Sequence, residues 1–118
     1  MKNLLEMIFG KPVPTLSATE LNEKLKNGKR PLVLDVRQPD EYRTGHIPGA
    51  KLIPLNKFSN RMKDLPQNRQ IVCVCASGNR SGSATRILAK AGLNAVNMKG
   101  GMNSWRQAGF PVKKGDTA

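Results

Sequence analysis

Acidic residues are scarce in this sequence, and so are aromatics, histidine and cysteine. Eight Asp and Glu stand against twenty Lys and Arg, a formal charge of +12 over 118 residues. Such a balance attracts anions and acidic partners in general. The positive residues are dispersed, never more than two in a row, as at Lys29-Arg30 and Lys113-Lys114. One Trp, one Tyr and three Phe leave little surface on which bases can stack, so nucleic-acid binding is permitted but not indicated. A single histidine, His46, rules out metal sites built on paired imidazoles, and no metal or cofactor is implied. Two cysteines make at most one bridge. A disulfide scaffold is therefore excluded, and a reducing, cytoplasmic setting is expected. No apolar run approaches the ~20 residues that span a bilayer.

Length allows one domain, large enough to bury roughly two-thirds of the surface of its unfolded chain. A monomer is expected. Residues 1–11 read as an N-terminal extension, 12–112 as the domain and 113–118 as a C-terminal tail. Within the extension, Glu6 interrupts a short apolar stretch and no small-residue cleavage site follows. It reads as an amphipathic segment rather than a signal peptide, with Leu4, Leu5, Ile8 and Phe9 available for packing or for a loose surface contact.

Strand patterns alternate with helical ones, the signature of parallel βαβ units. Ser17 and Glu20 stand at capping-box spacing before a helix that carries Leu21 and Leu25 on one face and closes at Asn27-Gly28. Leu32 to Val36 is a short apolar strand. Pro39 opens a brief helix ending near Gly45, and Ala50 to Ile53 is a very short strand between prolines. A helix with Phe58, Met62 and Leu65 on one side is expected next. Ile71-Val72-Cys73-Val74-Cys75 is apolar throughout, as a strand buried on both faces of a parallel sheet is. A tight turn at Ser77-Gly78-Asn79 leads into a helix whose apolar stripe is Ala84, Ile87, Leu88 and Ala91. Ala95 to Met98 is the last strand, and Gly100-Gly101 leads into a terminal helix with Trp105.

The segment Cys75 to Ser81, C-A-S-G-N-R-S, carries the chemistry. It joins a buried strand to a helix, at the carboxyl edge where open α/β sheets bind ligands. Successive N–H groups in such a turn form an anion-binding nest, and the helix adds the positive end of its dipole. Gly78 permits a positive φ and Asn79 tolerates one. A cysteine at that rim is acidic: helix N-termini and neighbouring cations, here Arg80, bring thiols from about 8.5 into the range ~3.5–7.5. Cys75 is thus the candidate nucleophile, and the backbone of Ala76, Ser77, Gly78, Asn79 and Arg80 the cradle for the anion it forms.

Four pieces of the chain, D-V-R-Q-P-D-E-Y (35–42), G-H-I-P-G-A (45–50), the cysteine loop and G-G-M-N-S-W (100–105), occur in the order and spacing of the rhodanese family. The resemblance covers about residues 14–111. It implies a three-layer α/β/α fold with a parallel sheet of about five strands and the catalytic loop after a central strand. It also implies transfer of sulfane sulfur from a small anionic donor such as thiosulfate to a thiophilic acceptor, cyanide or a thiol, through a persulfide on Cys75. A relay protein serving a specific protein acceptor would use the same persulfide. A non-catalytic anion-binding module is disfavoured by the intact cysteine. Cysteine-dependent phosphatases and arsenate reductases on related folds use a loop one residue longer than the Cys-x4-Arg of Cys75 to Arg80, and phosphate-ester cleavage also needs a general acid that this loop does not offer.

The remaining candidates have supporting or structural readings. Asp35 ends a strand on the catalytic side and is placed to accept hydrogen bonds from loop backbone. Arg37 is expected to pair with a nearby carboxylate and Glu41 with Arg80, the bland version being a fold-stabilising ion network. Ser81 closes the loop. Cys73 reads as a small buried hydrophobe, with a resolving thiol as the lesser option. His46 reads as a loop-positioning residue, and Gly100-Gly101 and Trp105 as a close-packing turn and a core anchor.

Overall fold

The computed structural model describes residues 12–118, so the N-terminal extension lies outside the description. Five strands form one sheet in the order β1-β5-β4-β2-β3. They are β1 (Thr15–Leu16), β2 (Leu32–Asp35), β3 (Lys51–Leu52), β4 (Ile71–Val74) and β5 (Ala95–Met98), and every pairing between neighbours is parallel. The helices are α1 (Ala18–Lys24), α2 (Pro39–Thr44), α3 (Phe58–Arg61), α4 (Asn79–Lys90) and α5 (Gly101–Gln107). Among the described residues, no helix is long and apolar enough to cross a membrane.

Alternation along the strands sorts the core into two layers. Val33, Val72, Val74, Val96 and Met98 face one side, where they pack with Leu21 of α1, Tyr42 of α2 and Met102 and Trp105 of α5. Leu34, Ile71, Cys73, Cys75 and Ala95 face the other, against Phe58 of α3 and Ala84 and Leu88 of α4. The result is the expected three-layer α/β/α arrangement. All four residues of central β4 are buried. Each such side chain contributes roughly 1.5–3 kcal/mol relative to exposure. Period-2 alternation therefore puts Cys75, like Ile71 and Cys73, on the α4 side of the sheet.

Local signals hold in most places. The capping box of α1 forms, with Glu20 N–H donating to Ser17 Oγ at 3.0 Å and Ser17 N–H to Glu20 Oε1 at 3.0 Å. Trp105 is an anchor, its Nε1–H donating to the Pro111 carbonyl at 2.8 Å and its ring meeting Phe110 edge-on at 5.1 Å.

Three expectations need correction. The helix carrying Phe58, Met62 and Leu65 is instead a 3₁₀ turn (Leu55–Lys57), one turn of α3 and a second 3₁₀ turn (Met62–Asp64). The backbone leaves regular helical geometry at Lys57 (φ −111°, ψ 8°) and again at Arg61 (φ −118°, ψ −6°), which divides the segment into single turns. In α4 the buried face is Ser81, Ala84, Thr85 and Leu88, whereas Ile87 is 40% exposed. The helix starts at Asn79, ahead of the apolar run, so small polar residues complete its inner face.

The third concerns the segment after Pro111, expected as a tail. It folds back along α2. His46 and Lys113 exchange backbone hydrogen bonds of 3.0 and 2.8 Å, and Gly115 N–H donates to the Arg43 carbonyl at 3.0 Å. The fully buried His46 ring stacks on Tyr42 at 3.6 Å, with Nδ1 2.8 Å from the Tyr42 carbonyl and Nε2 2.8 Å from the Thr117 carbonyl. His46 thus positions a loop, as expected, and also fastens the C-terminal segment. Ending the chain at Val112 strips these partners from His46 and Arg43. The expected loss is about 1–3 kcal/mol in urea unfolding. An unchanged stability would reduce the strap to a passive tail.

Candidate functional site

Cys75 follows β4 and has no exposed surface, while Ser77 and Asn79 of the loop above it are exposed. The chain turns at Gly78, whose φ of +104° is left-handed and which caps α4. That conformation brings the Gly78 N–H to 3.0 Å from Cys75 Sγ. A side chain at Gly78 would be strained at this φ and would meet the Gly100 backbone nitrogen at 3.3 Å. One turn into α4, the Ser81 hydroxyl donates to the same sulfur at 3.2 Å.

Burial works against ionisation of Cys75, but hydrogen bonds outweigh it. The Ser81 hydroxyl and the backbone amides of Ser81, Gly78 and Ser77 hold the thiol below its ordinary value. Cys73, in the same apolar layer, lacks such a ring, and burial pushes its thiol up to about 11. Two cysteines two residues apart are thus shifted in opposite directions, Cys75 toward easier ionisation and Cys73 away from it. Both are free.

Arg80 turns away from the sulfur. Its Nη1 and Nη2 donate to Glu41 Oε1 and Oε2 at 2.7 and 2.9 Å, a two-pronged pair linking the first turn of α4 to α2. Glu41 also accepts the Gln38 N–H at 3.1 Å. The Arg80 hydrogen bonds, opposed by burial and helped by Gln38, hold the Glu41 carboxyl down at about 2. The sulfur is therefore stabilised chiefly by amides and a hydroxyl, with the neighbouring cation already neutralised by its partner.

Asp35 and Arg37 form a second pair, almost wholly buried. Arg37 donates from Nε and Nη2 to the Asp35 carboxylate at 2.9 and 2.8 Å, and its backbone N–H adds a third bond at 3.1 Å. Asp35 thus gives both oxygens to Arg37 rather than to the cysteine loop, which agrees with the fold-stabilising ion network and not with the loop contact. Arg37 Nη2 also reaches the Gly45 carbonyl at 2.9 Å, tying the end of β2 to the end of α2. The pair braces the scaffold and touches no reacting atom.

The first turn of α5 contributes what sequence reading had assigned to packing alone. Met102 and Asn103 donate their backbone N–H groups to the carbonyls of Cys75 and Ala76 at 2.8 and 3.1 Å. A trans peptide points its C=O and N–H in opposite directions. Anchoring the Ala76 carbonyl on α5 therefore aims the Ser77 amide back toward the sulfur. The approach is possible only because Gly101 has no side chain: a Cβ there would strike the Cys75 carbonyl and lie 2.5 Å from the Ala76 oxygen. On the other flank, Asn97 of β5 donates from Nδ2 to the Gly78 carbonyl at 3.0 Å. Sequence reading missed Asn97, though a polar amide inside the apolar run Ala95 to Met98 is a signal of its own.

This loop, strand and glycine-opened helix match a rhodanese-like domain over residues 17–108. The chain belongs to the rhodanese-like family. Among curated relatives, a sulfurtransferase of Allochromatium vinosum is 33% identical over 101 residues, 85% of this chain and 94% of that protein. The putative sulfur carrier protein YrkF of Bacillus subtilis is 36% identical over 94 residues, 79% of this chain and 51% of that protein. The chain spans about half the length of the first curated relatives it matches, 48% and 51%. A crystal structure of a rhodanese-related protein from Thermoplasma volcanium superposes with a TM-score of 0.80 at 36% identity, covering 85% of this chain and 97% of that one.

Two outcomes follow. Ser81→Ala removes a hydrogen bond that favours ionisation of Cys75, so its alkylation by iodoacetamide near neutral pH slows about tenfold. Equal rates would exclude the hydroxyl as a stabiliser of the thiolate. Glu41→Gln keeps the backbone cap and deletes the ion pair. Because Arg80 depresses Glu41 only in the folded protein, the pair adds stability above the carboxyl's ordinary 4.5 and loses it as pH falls toward about 2. The gap in melting temperature between wild type and Glu41→Gln should close over that window. A pH-independent gap would refute the pairing as its source.

Proposed function

We propose that this chain is a sulfurtransferase working through a persulfide on Cys75, with sulfane sulfur drawn from a small anionic donor such as thiosulfate. The observation that carries the reading is the buried Cys75 sulfur held by the Gly78 amide at 3.0 Å and the Ser81 hydroxyl at 3.2 Å. The thiolate attacks the outer sulfur of thiosulfate, a new S–S bond forms, and the electron pair of the broken bond leaves with sulfite. No proton moves in this step, so no general acid is needed. The persulfide carries one negative charge, as the thiolate did, and the amides that stabilised the first anion stabilise the second. An acceptor thiolate or cyanide then attacks the outer sulfur and releases the Cys75 thiolate. The exposed side of the loop, at Ser77 and Asn79, is where donor and acceptor approach.

Phosphate-ester hydrolysis fits this site poorly. The short loop closes its donors around a single sulfur atom. The nearby carboxylates are engaged, Glu41 with Arg80 and Asp35 with Arg37, so neither is free to approach a leaving alkoxide. A relay that hands sulfur to a specific protein acceptor shares the loading step, and the name of the Bacillus subtilis relative, a putative sulfur carrier, favours keeping it as the second reading.

Mass spectrometry after incubation with thiosulfate is the test. One sulfur atom should be gained on Cys75, removable by cyanide or dithiothreitol and absent from Cys75→Ser. No adduct on the wild type, or an equal adduct on Cys75→Ser, refutes the mechanism. Fast thiocyanate production would identify a general transferase; slow production with ready loading would identify a relay.

A further inference from the structure

We infer that Asn97, outside the cysteine loop, is a positioning residue for the Cys75 nucleophile. Its amide clamps the Gly78 carbonyl and holds the turn whose N–H donates to the sulfur. The inference rests on Cys75 being the nucleophile, whatever group it attacks.

The clamp is superfluous as a satisfier of hydrogen bonds. The Gly78 carbonyl already accepts the Gly82 N–H at 3.0 Å, the first bond of α4. Asn97 Nδ2 adds a second bond to the same oxygen at 3.0 Å. With two donors on two lone pairs, the peptide plane after Gly78 is fixed in rotation as well as position. Gly78 needs that restraint. At φ +104° it is free of the steric walls that hold other residues, and in this posture its N–H donates to Sγ at 3.0 Å.

Asn97 is also a costly choice for the fold. It is 7% exposed in a strand whose four residues are all buried, between Val96 and Met98. Asparagine is a poor strand former, and an apolar residue suits a doubly covered parallel strand better. Its Oδ1 is buried without a hydrogen-bond partner. An orphaned buried acceptor destabilises the folded state. Flipping the amide would bring Oδ1 against the Gly78 carbonyl, two acceptors face to face, so the orientation is set by the loop. A side chain that weakens the sheet while restraining the loop is explained by the loop.

Parallel register extends the argument. Asn97 lies opposite Cys73 on β4, so both side chains point to the α4 side, beneath the turn. With the first turn of α5 holding the Cys75 and Ala76 carbonyls, the loop is gripped from two directions by elements that never touch the sulfur.

Asn97→Ala tests this, with Gly109→Ala as control. Gly109 has φ +75° and open space around it, so alanine there strains the backbone far from the loop. The readouts are the pH profile of Cys75 alkylation by iodoacetamide, followed on the Cys75 peptide, and the melting temperature. In Asn97→Ala the midpoint should move toward higher pH and alkylation near neutral pH should slow about tenfold, with melting temperature held or raised. Gly109→Ala should melt earlier and keep the wild-type profile. An unchanged profile in Asn97→Ala overturns the proposal at any melting temperature. So does an equal shift in Gly109→Ala, since destabilisation alone would then account for it. Alkylation needs no sulfur donor, so a wild type that takes no sulfur from thiosulfate would sink the transferase reading and leave this test intact.

Discussion

Backbone hydrogen bonds between the first turn of α5 and the carbonyls of Cys75 and Ala76 are the constraint on which the active loop depends. They require two peptide chains to approach closer than any side chain permits, and Gly101 makes that possible. From them the rest follows mechanically. A peptide anchored by its carbonyl on one side presents its amide on the other. The loop thereby becomes a ring of donors around one atom. The sheet brings the ends of β4 and β5 side by side, and that adjacency lets elements some twenty-five residues apart share one site.

A thiolate in a buried place normally calls for a cation. Here the loop arginine is occupied by Glu41, and the charge on sulfur is met by neutral donors. The consequence is chemical. Amides and a hydroxyl stabilise an anion without forming a tight ion pair that would blunt its nucleophilicity, and on the proposed function they would serve thiolate and persulfide alike. Arg80 and Glu41 instead fasten α4 to α2, while Asp35 and Arg37 fasten β2 to the same region. The charged residues around the loop are thus largely braces, and the donors to the Cys75 sulfur are mostly backbone.

Cys73 and Cys75 show how little composition says about reactivity. They share a layer and complete burial. Only Cys75 stands where the strand has ended and amides turn inward. Cys73, one residue pair earlier, meets side chains and stays a thiol. Reactivity is decided by what the backbone does next.

Much of this was legible beforehand. Strand alternation, the capping box at Ser17 and the apolar run into Cys75 are local patterns, and they specified a parallel α/β sandwich with the cysteine at its carboxyl edge. The pairing of Arg80 with Glu41 followed from charge and order. What escaped were contacts between segments distant in sequence: the strap on His46, the exposure of Ile87, the partner of Asp35, the clamp from Asn97 and the function of Gly101. Apart from the polar Asn97 in an apolar strand, none has a local signature, because each is defined by which element lands beside which. The sequence by itself determined the candidate nucleophile and the kind of loop around it, since a turn after a buried strand is written in adjacent residues. Only the tertiary structure decided which groups ionise that residue, because the donors are aimed by carbonyl anchors on β5 and α5, brought to the loop by the pairing of parallel strands.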